Sequence, residues 1–542
     1  MTVSEVPPGG RKLKYFACIL LLLCSSPAFC LRAIVILPLS NESEQQQLYW
    51  LGEGFAESLS EDLLLKDAYI IQRQERKAAY DNLRLPYTGD LSRATMRKVG
   101  ENLAADYLVF GSYDLDEAKL TARAQVMKLK YPELSSPVEA NGSLENLYEI
   151  QKKLRDGLKQ YFATESIFSL QQKEIEGPAV PLHAYESYIK GLLETSDREK
   201  IRFFQRAMQT SPGYPQATYR MGLALFRLQQ YKESNDVLQQ ISANGMFQHR
   251  TDFLMGLNFY FAGDLNSAYE KWLGLSQRSL TPEVQNNLGM VLLKKNDVKQ
   301  ATGLLVEALR GDPDNENYHF NLAACYLLNE KDAESIHHLR EASQLVPADY
   351  QVLYLLGKLL EKQQMLQAKR VLEYFRKALP SDQKGKFPES YSTVLQLVRP
   401  VMAYLSAEER AYMIQARVKE LKRRSEYVTT YQSNAKKELE DDETDNAILE
   451  IKKGLKLAPF DWYLYYLWGL ASVEKEDPAT AIPLLEFSIW CIDNIDSRIL
   501  LAEIYREGEK YAEAKLQIQQ ILALDPENRK AKEIWGKIWN KN

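Results

Sequence analysis

Five histidines, two cysteines clear of the amino terminus and one dense run of carboxylates are the residues of this 542-residue chain whose types lend themselves to chemistry. The histidines are His183, His249, His319, His337 and His338, and none falls in a His-Glu-x-x-His or Cys/His spacing that would bring two ligands onto one metal. His337 and His338 are adjacent on a predicted helix, point about 100° apart and read as exposed residues rather than a metal pair. Cys325 and Cys491 each sit inside an apolar helical pattern and read as small buried hydrophobes. Gly52-Glu53-Gly54 precedes a helix but lacks the third glycine and the Lys-Ser/Thr of a phosphate cradle, so it reads as the start of that helix. The carboxylates Glu438, Glu440, Asp441, Asp442, Glu443 and Asp445 fit a solvated turn between two helices better than a cation site. With no nucleophile paired to a base, the expectation is a protein that is not an enzyme and carries no metal or cofactor.

The charge balance removes a further class. There are 68 basic against 73 acidic residues, a net charge of −5, and no long Lys/Arg stripe, which argues against a nucleic-acid partner. A chain of this length needs two or more folding units, and with 26 glycines and 21 prolines extended linkers must be few.

Residues 1–30 read as a leader. Arg11, Lys12 and Lys14 precede an apolar run from Tyr15 to Cys24, and Ser25-Ser26-Pro27 breaks that run before Ala28-Phe29-Cys30. The run is too short for a membrane span, so export with cleavage after Cys30 is expected, the alternative being an uncleaved apolar anchor. The contexts of Cys24 and Cys30 lack the small residue that precedes a lipidated cysteine, so any membrane association would be indirect.

What must position any functional residue is a repeat that runs from residue 184 to the carboxyl terminus. Gly289 is followed by Ala301, Ala308 and Pro313, and the same frame moved by 34 residues meets Ala323, Ser335, Ala342 and Pro347. Small residues on two successive helices let them approach closely, apolar residues fill the seam, and the proline stops the second helix. Units start near 184, 215, 249, 282, 316 and 350, and again near 428, 462 and 495, with Asn528 to Trp539 as a closing helix whose Ile534, Trp535 and Ile538 cover the last unit. Residues 384–427 are helical in pattern without a repeat frame, either a decayed unit or a hinge. The spacing resembles the tetratricopeptide repeat (TPR) over more than 340 residues.

That resemblance implies a solenoid whose first helices line a concave groove and whose work is to hold peptides or proteins. Residues 2, 5, 9, 12 and 13 of each first helix would face the groove. With the polar residues beside them, the partner-binding set becomes Tyr219, Phe226, Arg227, Phe253, Tyr260, Phe261, Asn287, Lys294, Phe320 and Asn321. The surface is aromatic and apolar, and either it receives an amphipathic or extended segment or the protein's own fold covers it. The lysines that a carboxylate-clamp subgroup uses are missing, so recognition of acidic chain ends is not expected.

Residues 31–175 alternate instead. Arg32–Leu39 is strand-like, Leu48–Leu65 is helical with Leu51, Phe55, Leu59 and Leu63 on one face, and Ala68–Ile71 is a short strand. Leu91–Ala104 is a helix, Tyr107–Tyr113 and Lys119–Leu129 are strands, and Leu144–Phe162 is a helix, which gives the order β-α-β-α-β-β-α. The expected fold class is α+β: a small amino-terminal α/β sandwich followed by an all-α solenoid of tetratricopeptide repeats. The expected divisions are 1–30 leader, 31–175 sandwich, 184–383 array of about six repeats, 384–427 degenerate helical segment, and 428–542 further repeats with the closing helix.

Leu37-Pro38-Leu39-Ser40-Asn41, Gly54 to Leu59, the run Asn102 to Ser112 and the strand Leu120 to Val126 are similar to ordered motifs of TolB-amino-terminal-like and FlgO/CsgG-type domains of bacterial envelope proteins. The resemblance implies an exported, periplasmic or envelope-associated scaffold with a protein or peptide partner, self-association included. The alternative is a sensory module whose α/β domain binds a small ligand and signals through the array.

Overall fold

The computed structural model describes residues 31–539 apart from 64, 67, 88–89, 132, 166–167, 171–179, 243–246 and 384–396. The leader expected at 1–30 lies outside the described residues, as does the first part of the segment 384–427. The chain folds as two compact units, one formed by residues up to Thr251 together with Leu405–Ala416, the other by Asp252–Tyr404 and Arg417–Asn542.

The first unit opens with β1 (Arg32–Ile36), β2 (Ser40–Asn41), α1 (Trp50–Asp62), β3 (Leu65–Lys66), β4 (Ala68–Ile70), α2 (Arg73–Leu83) and α3 (Arg93–Asn102). It continues with β5 (Tyr107–Asp116), β6 (Lys119–Lys128), β7 (Glu133–Leu134), β8 (Val138–Ser143), α4 (Leu147–Thr164) and β9 (Ser169–Leu170). β1 lies between β4 and β5 and is parallel to both; β5 and β6 form a long antiparallel hairpin, β8 and β7 pair with β6, β2 pairs with β5, and β3 and β9 form a separate two-stranded ladder. Both parities of β1 are apolar because both faces are covered: Ile34 and Ile36 pack with Phe55 of α1 and Leu154 of α4, while Ala33 and Val35 pack with Tyr80 of α2 and Val99 of α3. A Cβ at Gly111 of β5 would fall 1.9 Å from the Arg123 carbonyl oxygen, so the hairpin requires glycine there.

The sequence expectation lacked the two-residue strands β2, β3, β7 and β9 and two longer elements, α2 and β8. Helix α2 has no apolar stripe, because its buried face is Arg76, Ala79 and Tyr80, and β8 reads Val-Glu-Ala-Asn-Gly-Ser, too polar to signal a strand.

Four repeat helices complete the first unit, α5 (Leu182–Leu193), α6 (Asp197–Thr210), α7 (Pro215–Arg227) and α8 (Tyr231–Leu238). Tyr188, Ile189, Phe204 and Leu225 of these helices share one apolar cluster with Phe55, Ala56 and Leu59 of α1. The change of sequence pattern near 175–184 is therefore crossed by a continuous core.

The second unit carries α10 (Leu265–Ser276), α11 (Pro282–Lys294), α12 (Val298–Gly311), α13 (Glu316–Leu328), α14 (Asp332–Leu345), α15 (Tyr350–Lys362) and α16 (Ala368–Ala378). After α17 (Ala407–Glu440) it carries α18 (Thr444–Leu457), α19 (Trp462–Glu474), α20 (Pro478–Cys491), α21 (Ile495–Glu507), α22 (Tyr511–Leu524) and α23 (Arg529–Ile538). The division between units falls inside α9 (Gln248–Phe261) and inside α17 (Ala407–Glu440). Within each helical hairpin the small residue is a packing requirement. A Cβ at Gly256, Gly289, Gly357 or Gly469 would lie 2.3, 2.9, 2.6 or 2.5 Å from Trp272, Leu305, Leu372 or Leu485 of the following helix.

The backbone repeats as regularly as the packing. Gln229, Gly263, Asn296, Glu330 and Gln364, and later Asp442, Glu476 and Glu509, all adopt positive φ between 54° and 84° at the turn from first to second helix. Only one is glycine, so this left-handed turn, at a cost of about 1 kcal/mol per non-glycine residue, is imposed by the stacking of helices around it.

The segment 384–427 is not helical throughout. Residues 398–406 form neither helix nor strand, Pro400 lacks the N–H a helix interior needs, and 407–427 belong to α17, which runs on through 428 to form the first helix of the next repeat. No helix among the described residues is long and apolar enough to cross a membrane. The closing helix buries Ala531, Ile534 and Ile538 and leaves Trp535 half-buried.

Candidate functional site

The groove of the second unit holds a strap of the protein's own chain, residues 397–404. Asn287, the sixth residue of its repeat, accepts from the Val401 N–H at 2.8 Å and donates to the Val401 carbonyl at 3.0 Å. Asn321, at the same place one repeat later, accepts from the Arg399 N–H at 2.9 Å and donates to the Arg399 carbonyl at 2.7 Å. Asn286 donates to the same carbonyl at 3.4 Å, and its own oxygen accepts from Asn321 at 2.9 Å, which fixes the orientation of both amides. Repeats 34 residues apart thus read strap residues two apart, with the strap running against the direction of the array.

Side chains anchor the strap at both ends. Arg399 makes a two-point ion pair with Asp349, 2.8 Å for Nη2 to Oδ1, and its guanidinium lies 4.1 Å from the centre of the Phe320 ring. Asp349 is also the N-cap of α15, accepting from the Gln351 and Val352 amides at 3.0 and 3.2 Å, so a stiff element holds it in place. At the other end the Tyr404 hydroxyl lies 2.7 Å from Ser279 Oγ, and its ring lies 6.0 Å from Phe253. Leu397 and Val398 are buried. An asparagine amide has one acceptor and two donors, so it pairs with the main chain of any extended residue, and such a groove is selective for conformation before sequence.

The ten groove residues named from the sequence therefore divide. Phe253, Asn287, Phe320 and Asn321 come together under the strap and are buried by it and by their neighbours, Phe253 at 1% exposure and the other three at 0%. Tyr260 and Lys294 form a cation–π pair at 4.6 Å, the half-buried lysine held below its usual pKa by desolvation, while Phe261 beside them stays 40% exposed. Tyr219, Phe226 and Arg227 belong to the first unit, where Tyr219 packs 5.8 Å from Phe247, Phe226 lies 5.7 Å from Tyr231, and Arg227 reaches Asp197 at 3.5 Å. Sequence reasoning passed over Arg399, Tyr404 and Asp349. The available signal was the recurrence of asparagine at one register in two successive repeats.

One histidine needs a correction: His337 is exposed, but His338 is half-buried, its Nδ1 3.0 Å from Nδ1 of His319, which is 7% exposed and whose Nε2 reaches the Pro313 carbonyl at 2.9 Å. Since a carbonyl can only accept, His319 carries its proton on Nε2 and His338 must donate from Nδ1. Burial holds both below their usual pKa, His338 at about 4. Among the described residues no group of three His, Cys, Asp or Glu is placed to hold a metal ion. Both thiols are buried, which pushes Cys325 up to about 12 and Cys491 higher still. Asp442 of the acidic run occupies the left-handed turn between α17 and α18, and Asp445 pairs with Lys475.

In the first unit α1 presents three glutamates one turn apart to polar partners that are buried or half-buried. Glu53 pairs with Arg76 and, at 3.0 Å, with Arg73; Glu57 accepts from the Tyr188 hydroxyl at 3.1 Å and lies 3.5 Å from Arg220; Glu61 accepts from Gln216 at 3.2 Å. Glu61 lines a cavity of about 400 Å³ with Asp62, Gln151 and Tyr185, and desolvation and the Glu57 charge push its carboxyl up to about 8.

Residues 286–350, which include both groove asparagines, match the family model of the tetratricopeptide repeat. BBS4, a member of the BBSome complex of Bos taurus, is 24% identical over 261 residues, 45% of this chain and 47% of that protein, so the chain spans about half the length of the curated relative it matches. Among solved structures, YrrB, a TPR protein with an unusual peptide-binding site, is 15% identical, with 34% of this chain and 93% of that one covered at a TM-score of 0.29. The pilF protein of Pseudomonas aeruginosa is 17% identical, with 40% and 96% covered at a TM-score of 0.33. The chain carries tetratricopeptide repeats, and such repeats serve protein–protein interaction.

Proposed function

We propose that this protein is an interaction scaffold whose repeat groove binds an extended polypeptide through its main chain. The observation that carries the reading is the pair Asn287 and Asn321, each closing two hydrogen bonds on one residue of an extended segment. The strap 397–404 holds that place in cis, and a partner takes it by displacing the strap, so the partner's apparent affinity is lowered by the fraction of time the groove is filled. The role is binding rather than catalysis, a reading supported by the burial of both thiols and the lack of a nucleophile paired with a base in the sequence.

The setting we propose is the bacterial cell envelope, with the chain exported. The leader pattern at 1–30 and the likeness of residues 31–175 to TolB- and FlgO/CsgG-type domains support it. Amino-terminal sequencing of the protein from its native host tests this: a start just after Cys30 agrees with export and cleavage, and an intact Met1 opposes it.

The groove is tested by selecting displayed random peptides on the full chain with 397–404 replaced by Gly and Ser. Enriched peptides that lose binding to the same protein carrying Asn287→Ala and Asn321→Ala support the reading. Peptides that bind both proteins equally, or no enrichment at all, reject it.

A further inference from the structure

We propose a second binding site in the second unit, a cationic cavity that takes an acidic polypeptide segment carrying an aromatic or aliphatic side chain. The cavity holds about 520 Å³ and is walled by α16 and α18, second helices of their repeats, whereas α11 and α13, which carry the groove asparagines, are first helices. Its existence does not depend on the main-chain reading of the groove.

Four cations stand around it, Arg370 and Lys377 on α16, Lys452 and Lys456 on α18, against one lining carboxylate, Glu373. Among the described residues none of the four has a carboxylate within 4.0 Å, whereas Lys453, next to Lys452 on α18, pairs with Glu450. The floor beneath them is apolar, with Leu353 and Leu455 buried and Trp468 half-buried. A concave apolar floor ringed by unneutralised charge of one sign gathers a ligand of the opposite sign.

The charges are held in place by aromatic rings instead of by counter-ions. The Arg370 guanidinium lies 5.3, 5.6 and 5.6 Å from the ring centres of Tyr465, Trp468 and Phe487, and Lys452 Nζ lies 5.5 Å from that of Trp468. Tyr374 and Tyr465 share a hydrogen bond of 2.6 Å that stiffens the same wall.

Spacing selects the occupant. Arg370 and Lys377 are two helical turns apart, about 10 Å, and Lys452 and Lys456 one turn apart, about 6 Å, so a single compact anion reaches only part of the ring. On one face of an extended chain residues two apart are about 6.8 Å apart, so an aromatic side chain can meet Trp468 while carboxylates two residues before and after it reach the cations of α16 and α18.

The test is fluorescence anisotropy of a labelled Asp-Glu-Phe-Glu-Asp peptide with the full chain. Lys452→Glu with Lys456→Glu, both on the exposed face of α18, should weaken binding by about ten-fold or more, and raising salt from about 0.05 to 0.5 M should do the same. Replacing Phe by Gly in the peptide should cost several-fold, and Trp468→Phe should remove the change in tryptophan emission on binding. The double variant Asn287→Ala, Asn321→Ala should bind the peptide as the unaltered protein does, which separates this site from the groove. Equal affinity in the charge-reversed protein, full competition by inorganic phosphate at matched ionic strength, or loss of binding in the asparagine variant would each overturn the proposal.

Discussion

Asn287 closes both main-chain hydrogen bonds of Val401, one side-chain amide doing for an extended residue what a neighbouring strand would do. Asn321 repeats the arrangement on Arg399, and the two together set the register of the strap. Replacing both asparagines by alanine leaves the Arg399 N–H and both main-chain groups of Val401 without these partners, while the Arg399 carbonyl keeps only Asn286, at about 1–3 kcal/mol for each bonded pair. Hydrogen exchange at the Arg399 and Val401 amides should therefore speed up by about ten-fold or more, while amides of α19 to α22 keep their rates. Unchanged exchange at Arg399 and Val401 would show that side-chain anchors alone hold the strap.

Glu61 makes the first unit sensitive to alkali. Its carboxyl, pushed up to about 8 by desolvation and by Glu57, keeps a proton in the folded state that the unfolded chain releases near 4.5. The folded state then binds more protons across this window, so stability falls as pH rises from about 4.5 to about 8. Glu61→Gln should flatten that decline and raise the Tm at pH 8.5 relative to the unaltered protein. Parallel Tm–pH curves for the two proteins would contradict the assignment.

The pair His319 and His338 works in the opposite direction. Both imidazoles are held below their usual pKa, and a proton added to His319 Nδ1 would face the N–H of His338. The unfolded chain takes up protons near 6.5, whereas in the folded state His338 does so at about 4 and His319 below its usual value, so stability is lost as pH falls below about 6.5. His338→Asn keeps a donor close to the Nδ1 position without titrating. It should reduce the loss of Tm between pH 6.5 and 4, and an unaltered acid limb would argue against the pair as its source.

Tyr412 pins residues 405–416 into the first unit. Its ring stacks on Tyr69 at 4.5 Å, and its hydroxyl donates to the Leu103 carbonyl at 2.7 Å. Tyr412→Phe should cost about 1 kcal/mol through the carbonyl left bare, and Tyr412→Ala about 3–5 kcal/mol through the lost ring. The urea midpoint of the first unit's transition reads both, with the larger drop expected for alanine.

Parts of this architecture were legible in the sequence for physical reasons. Gly289 and Ala301 announce a helical hairpin because no larger residue fits where Leu305 and the Ala301 carbonyl approach, and the 34-residue recurrence of that constraint reports the solenoid. Helix α2 stayed hidden because Arg76, a charged residue, fills the core position that periodicity expects to be apolar. The strap stayed hidden for a different reason. Leu397 to Tyr404 has no internal pattern, and its hydrogen bonds reach back 78 residues to Asn321 and 114 to Asn287, a separation that no local signal encodes. The repeat register put Phe253, Asn287, Phe320 and Asn321 on one surface, and coverage of that surface by the protein's own fold stood as one of two readings.

The most direct measurement of the central claim uses the strap as a free peptide. The peptide Leu397–Tyr404 is titrated into the full chain in which 397–404 is replaced by Gly and Ser, alongside the same peptide N-methylated at Val401. Methylation removes the one N–H that Asn287 accepts and leaves every side chain in place. Main-chain reading predicts a loss of affinity of about ten-fold or more on methylation and only a few-fold change for Val401→Ala. Equal binding of the methylated and unmethylated peptides would contradict it.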